Sequence, residues 1–140
     1  MKVTKSLISQ KIDNLVRENS VYFLWRFPIQ RQKNVIPLKP QQGEKIVYSG
    51  DTGYFKKLKV FAINAELLVC EAGVKERFKR FGQGKHLTTR QAAKIAIQAN
   101  IKQLLLTHIY PLTSYEVIKT EAQKVLADPK IAIEGKTYSV

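Results

Sequence analysis

Lys45-Ile46-Val47-Tyr48-Ser49-Gly50-Asp51-Thr52 is an apolar run that stops at a turn carrying a carboxylate. The pattern recurs twice downstream. Ala65-Glu66-Leu67-Leu68-Val69-Cys70 runs into Glu71-Ala72, and Gln103-Leu104-Leu105-Leu106-Thr107 runs into His108. Short apolar runs bounded by turn residues predict buried strands. Between the second and third lies Gly84-Lys85-His86-Leu87-Thr88-Thr89, which holds the only other histidine. Two carboxylates and both histidines therefore fall at the ends of elements, where α/β proteins place their chemistry.

Helical spacing fills the gaps between these strands. Phe55, Leu58, Phe61 and Ala62 recur at a helix period, and 74–81 predicts a short helix with Phe78 and Phe81 inward. Thr88 with Gln91 three residues on predicts a capping box, for a helix that runs to about Ala99 and stops at Asn100. Ser114 caps a last helix whose core face is Val117, Ile118, Ala122, Val125 and Leu126, before Asp128-Pro129 stops it. Residues 130–133 and 137–140 predict short strands joined at Glu134-Gly135-Lys136. Strands alternating with helices predict a layered α/β sheet. Upstream, 4–18 carries Leu7, Ile8, Ile12, Leu15 and Val16 at helical spacing, 21–27 reads as a strand, and 28–44 as a loop or weak edge strand. The chain divides into an N-terminal basic segment, 1–44, and a regular part, 45–140.

At 140 residues the chain can form one domain. Its net charge of +13, from 24 basic and 11 acidic residues, points to a polyanion partner or to a solvated basic surface. Lys75, Arg77, Lys79, Arg80, Lys85 and Arg90 cluster around His86 against Glu76 alone, which favours an anionic substrate there. No run approaches the ~20 apolar residues of a membrane span. The N-terminus lacks an apolar signal core, and the single Cys70 suits a reducing compartment, so cytoplasm is the expected location.

Each polar ending has a functional and a local reading. Asp51 can ligate a metal or act as a base, or it can make an Asx-turn or cap the helix that starts near Tyr54. His108 can ligate a metal, or lie buried against backbone. His86 can donate a proton to a leaving group, or be a surface histidine. Glu71, at the end of a buried strand, needs a partner, and His86 is the natural one. Cys70 reads as a small core residue facing the opposite side from Glu71. Walker, dinucleotide, zinc-knuckle and Gly-x-Ser-x-Gly patterns do not occur.

Taken together these motifs resemble the metallo-β-lactamase-fold hydrolases, and most closely the ribonuclease Z family of tRNA 3′-processing endonucleases. Ile46–Thr52 resembles the strand ending in Gly-Asp-Thr, and Leu67–Ala72 the His-Glu-Ala-Thr loop. Gly84–Thr88 resembles the His-Ser-Thr loop, and Leu104–Ile109 the Leu-Thr-His-Ile segment. The spacings of 20, 15 and 22 residues from Asp51 through Glu71 and His86 to His108 fit. Cys70, Gly73, Leu87 and Tyr110 depart from the family's His, Thr, Ser and Ser. The resemblance implies an α/β fold: the C-terminal half of an αββα sandwich, a mixed sheet flanked by helices. It implies Asp51 as a carboxylate bridging two zinc ions, His108 as a metal ligand, and His86 oriented by Glu71 as the proton donor. Lys85 and Arg90 would contact phosphate. The family's His-x-His-x-Asp-His motif is absent, and no histidine precedes His86. The resemblance thus implies half of a two-zinc phosphodiesterase acting on an RNA such as a tRNA precursor. A separate chain would supply the N-terminal half, a homodimer being another arrangement. The alternative is a non-catalytic or degenerate nucleic-acid-binding half-domain.

Overall fold

The computed structural model describes residues 2–4, 21–23, 45–82 and 84–139. Strands β1 (Lys2–Thr4), β2 (Val21–Phe23) and β3 (Ile46–Tyr48) lead to helix α1 (Lys56–Ala62) and strand β4 (Leu67–Glu71). A 3₁₀ turn, Glu76–Phe78, then runs into α2 (Lys79–Gly82) and α3 (Thr89–Gln98). Strand β5 (Gln103–Thr107), helix α4 (Tyr115–Gln123) and strands β6 (Lys130–Ile131) and β7 (Thr137–Ser139) complete the order. Of the expected 4–18 helix, residues 5–18 lie outside the described residues, as does the 28–44 loop. Thr4 closes β1, and only Val21–Phe23 of the 21–27 strand is described.

The main sheet has the order β2-β3-β4-β5-β6 and is parallel throughout. Antiparallel pairing, among the described residues, is confined to β1 with β7. Parallel neighbours need a crossover, and α1, α3 and α4 supply those between β3, β4, β5 and β6. Strands buried on both faces read as unbroken apolar runs, which is why Leu67–Glu71 is buried at every position. One sheet face, with Val47, Leu68, Cys70, Leu104 and Leu106, packs against Leu58, Ala62, Ala92, Ala96, Ile118 and Ala122 of the helices. The opposite face gathers Ile46, Leu67, Val69, Leu105 and Ala132 with Tyr138.

The expected caps are present. Thr88 Oγ1 accepts from Gln91 N at 3.2 Å while Gln91 Oε1 accepts from Thr88 N at 2.9 Å. Asn100 closes the helix at φ 53°, a left-handed conformation that asparagine tolerates, and donates to Asn64 Oδ1 at 3.0 Å. Ser114 caps α4 through Val117 N.

Two local expectations change. Val117 is 41% exposed while Ile118 and Ala122 are buried: adjacent helical positions lie about 100° apart, and the buried face of α4 centres on the latter two. Phe78 is exposed, on a tight turn rather than a full helix, with the Arg77 guanidinium 4.7 Å above its ring. The two last strands, joined at Glu134-Gly135-Lys136 as expected, belong to different sheets: β6 extends the parallel sheet and β7 joins β1. The Tyr138 hydroxyl ties them, donating to Ile131 O at 2.6 Å and accepting from Ile133 N at 2.9 Å.

Candidate functional site

Parallel pairing puts the carboxyl ends of β3, β4 and β5 at one edge of the sheet. Tyr48 stands beside Val69, and Glu71 beside Thr107. Ser49 N donates to Val69 O at 2.9 Å and Ala72 N to Thr107 O at 2.9 Å, so the ladder continues past the strands into the polar turns. Asp51, Glu71 and His108 therefore emerge side by side. The loop carrying His86 is brought alongside by the bridge between Val74 and Thr88, with Val74 N donating to Leu87 O at 3.2 Å.

Glu71 is fully buried. Its Oε1 accepts the Thr52 backbone N–H, and its Oε2 lies 3.1 Å from His86 Nδ1. Its own N–H donates to Ser49 Oγ at 3.1 Å. Burial pushes its carboxyl upward, opposed by the Thr52 N–H and by His86. His108 Nδ1 contacts Asp51 Oδ1. The two imidazoles meet edge to face, with centroids 5.2 Å apart and planes at 72°. His108 holds φ 50°, a left-handed conformation that is uncommon for a residue with a Cβ and that concentrates at functional positions.

This geometry separates the local readings. Helix α1 is N-capped at Phe55 with no side-chain bond, so Asp51 does not cap it. The His108 side chain is 41% exposed and contacts a carboxylate, rather than being buried against backbone. His86 is paired with Glu71 rather than being solitary on the surface.

Glu71, His86 and His108 can each offer a ligand atom, all within 4.8 Å of one another, and Asp51 touches the last of them. Imidazole and carboxylate are a donor set that suits zinc and similar divalent ions. Three clustered groups leave even one ion's shell of about four donors incomplete, and two ions need still more than these side chains.

Residues 33–109 match the profile of the Beta-lactamase superfamily domain. The chain belongs to this superfamily. Ribonuclease Z of Archaeoglobus fulgidus is 37% identical over 103 residues, covering 71% of this chain and 34% of that protein. Ribonuclease Z of Bacillus thuringiensis is 37% identical over 105 residues, again covering 34% of the relative. The chain thus spans about a third of the length of these curated relatives. The metallo-beta-lactamase fold protein YhfI of Bacillus subtilis superposes with TM-score 0.61 at 29% identity, over 66% of this chain and 39% of that one. Human tRNase Z, short form, superposes with TM-score 0.53 at 24% identity, over 69% and 34% respectively, a likeness of fold. The metallo-β-lactamase fold, with its parallel sheet and flanking helices, is the one implied by the motif resemblance.

Within this superfamily domain Lys85 is exposed and Arg90 half-buried, and neither lines the cleft beside His108. Several residues support the site without being candidate site residues themselves. Ser49 and Thr52 hold Glu71 from the β3 turn. Gly53 lets that turn touch the His86 loop: a Cβ there would lie 2.5 Å from the Gly84 carbonyl carbon. Gly73 sits beneath the cluster, where a Cβ would lie 3.0 Å from Glu71 Oε2 and 3.5 Å from His86 Nδ1. A glycine within two residues of Asp51 and another within two of Glu71 were the available signals.

Cys70 is the core residue expected, fully buried on the helix-covered face. Burial pushes its thiol up to about 12. A folded value above the unfolded one of 9.0 means that this group's stability contribution is whole below pH 9.0 and is lost as pH rises toward about 12. Thiol reagents should therefore leave Cys70 unmodified at pH 8 in the native chain and label it on addition of urea. Rapid stoichiometric labelling of the folded chain would show that the helix layer over β4 opens.

Proposed function

We propose that this chain provides the C-terminal portion of a ribonuclease Z-like, metal-dependent phosphodiester hydrolase acting on RNA. One observation carries the reading: four side chains from separate segments, Asp51, Glu71, His86 and His108, form a single contact chain at the carboxyl edge of the sheet. Zinc, when bound, polarises a phosphoryl oxygen and lowers the pKa of its water. Asp51 and His108 would supply donors for it. The Glu71 carboxylate fixes the His86 ring through Nδ1, which leaves Nε2 to give a proton to the departing oxygen. Lys85 and Arg90 would hold backbone phosphate from the rim.

The further donors that a two-ion site requires would come from an N-terminal half on a separate polypeptide. The working location is the cytoplasm. A second reading, a non-catalytic nucleic-acid-binding half-domain, is favoured by the net charge of +13.

The test is zinc content and cleavage of bis(p-nitrophenyl) phosphate and of a tRNA precursor, with and without an added N-terminal fragment of a ribonuclease Z. The hydrolase reading expects cleavage on complementation, with a loss of at least about a hundredfold in Asp51→Asn and in His108→Ala. Salt-sensitive RNA binding without cleavage, unchanged in both variants, would leave the binding module instead.

A further inference from the structure

A cleft of about 500 Å³ opens beside the Asp51–His108 pair. That size lies within the range of small-molecule sites. Its lining includes Tyr48, Tyr110 and Tyr115 together with Thr113 and Ser114. Tyr110 is 57% exposed and Tyr115 44% exposed. Large rings left half in water on the wall of a cleft are surfaces available to a flat ligand. The loop that presents them is fixed rather than loose. Thr113 N donates to Tyr110 O at 2.8 Å, Thr113 is buried, and Tyr115 is the first residue of the Ser114-capped helix α4. Burial, together with the Asp51 and Glu71 carboxylates, pushes the Tyr48 phenol upward, so this wall stays uncharged at neutral pH. The cleft thus brings the Asp51–His108 pair and three tyrosines into one lining.

We propose that this cleft is a nucleobase subsite, in which Tyr110 and Tyr115 stack a base of the nucleotide whose phosphate lies at the Asp51–His108 pair. The assignment rests on the phosphodiester reading above for the phosphate, and on the cleft alone for the base. Aromatic rings stack on any base face, and the hydroxyls of Thr113 and Ser114 can donate to or accept from a base edge. A purine, with the larger face, binds more tightly than a pyrimidine.

The experiment uses probes without a phosphate, so that neither metal nor turnover enters. Adenosine, uridine, ribose and phenylalanine amide are titrated into the full chain and followed by amide and aromatic NMR shifts. The expected result is that adenosine, more than uridine, shifts Tyr110, Tyr115 and His108 resonances, and that ribose does not. Tyr110→Ala with Tyr115→Ala should weaken adenosine about tenfold, whereas Tyr110→Phe with Tyr115→Phe should keep it within about twofold. Both positions are exposed, and an unchanged amide spectrum outside the loop certifies the fold of each variant. Adenosine binding that is undetectable at millimolar concentration, mapped elsewhere, or indifferent to the alanine pair would overturn the subsite. Phenylalanine amide binding as tightly as adenosine would make it a peptide-type aromatic site and overturn it equally. RNA cleavage on complementation without adenosine binding rejects the subsite and spares the hydrolase. Adenosine binding without cleavage does the reverse.

Discussion

Glu71→Ala should lower the unfolding free energy by about 3 kcal/mol, the scale of orphaning a buried backbone donor and leaving a cavity. Removing the carboxylate leaves the Thr52 N–H without its acceptor in a buried setting, and leaves His86 Nδ1 without the oxygen 3.1 Å away. Each orphaned buried donor costs about 1–3 kcal/mol, and a cavity adds to it. His86 is more than a third exposed, so water relieves part of its loss, and the Thr52 turn carries most of the effect. That turn also carries Asp51, so the damage should spread to the Asp51–His108 contact. Glu71→Gln separates charge from shape. The amide oxygen can still accept from Thr52 while its NH₂ donates to His86. Urea denaturation should place Glu71→Gln within about 1 kcal/mol of the parent. Zinc affinity should fall more in Glu71→Ala than in Glu71→Gln. Equal stability of Glu71→Ala and the parent would mean that the carboxylate does not hold the turn.

Gly53→Ala should cost about 2 kcal/mol, in the range of over-packing a filled contact, for a reason unrelated to charge. The new methyl would lie 2.5–2.7 Å from the backbone of Gly84, and backbone cannot swing aside as a side-chain tip can. The two loops must separate, one carrying Asp51 and Thr52, the other His86. Gly84→Ala is the informative control. Gly84 has φ +78° and open space around its Cβ position, so alanine there meets strain without collision and should cost about 1 kcal/mol. The two variants also differ at the site. Gly53→Ala should broaden both histidine ring signals in NMR spectra, while Gly84→Ala should disturb His86 more than His108. If Gly53→Ala matched the parent in both melting and histidine spectra, the loops would not be in close contact.

Much of this was legible in one dimension. The runs 46–48, 67–71 and 103–107 read as buried strands because parallel strands covered on both faces need no polar alternation. The capping box at Thr88 and the cap at Ser114 are local hydrogen-bond patterns that a few residues specify. The Glu71–His86 pairing followed from the cost of burying a lone carboxylate. Where local reasoning fell short, a tertiary choice intervened. The 130–140 segment contained two strands, but nothing in it said that one would extend the parallel sheet and the other pair with β1. Phe78 was apolar at the right spacing, yet its segment folded as a 3₁₀ turn that leaves it outside.

The sequence by itself determined the strand runs, the helix caps and the four ionisable endings, because each depends on residues within a few positions of one another. Only the tertiary structure decided that Asp51 meets His108 across 57 residues, that Gly53 must meet Gly84, and that Tyr110 and Tyr115 line one cleft. Those contacts are set by the parallel register of β3, β4 and β5, which aligns the carboxyl ends of the strands at one edge. Register arises from packing two faces of a sheet at once, and no local stretch encodes it.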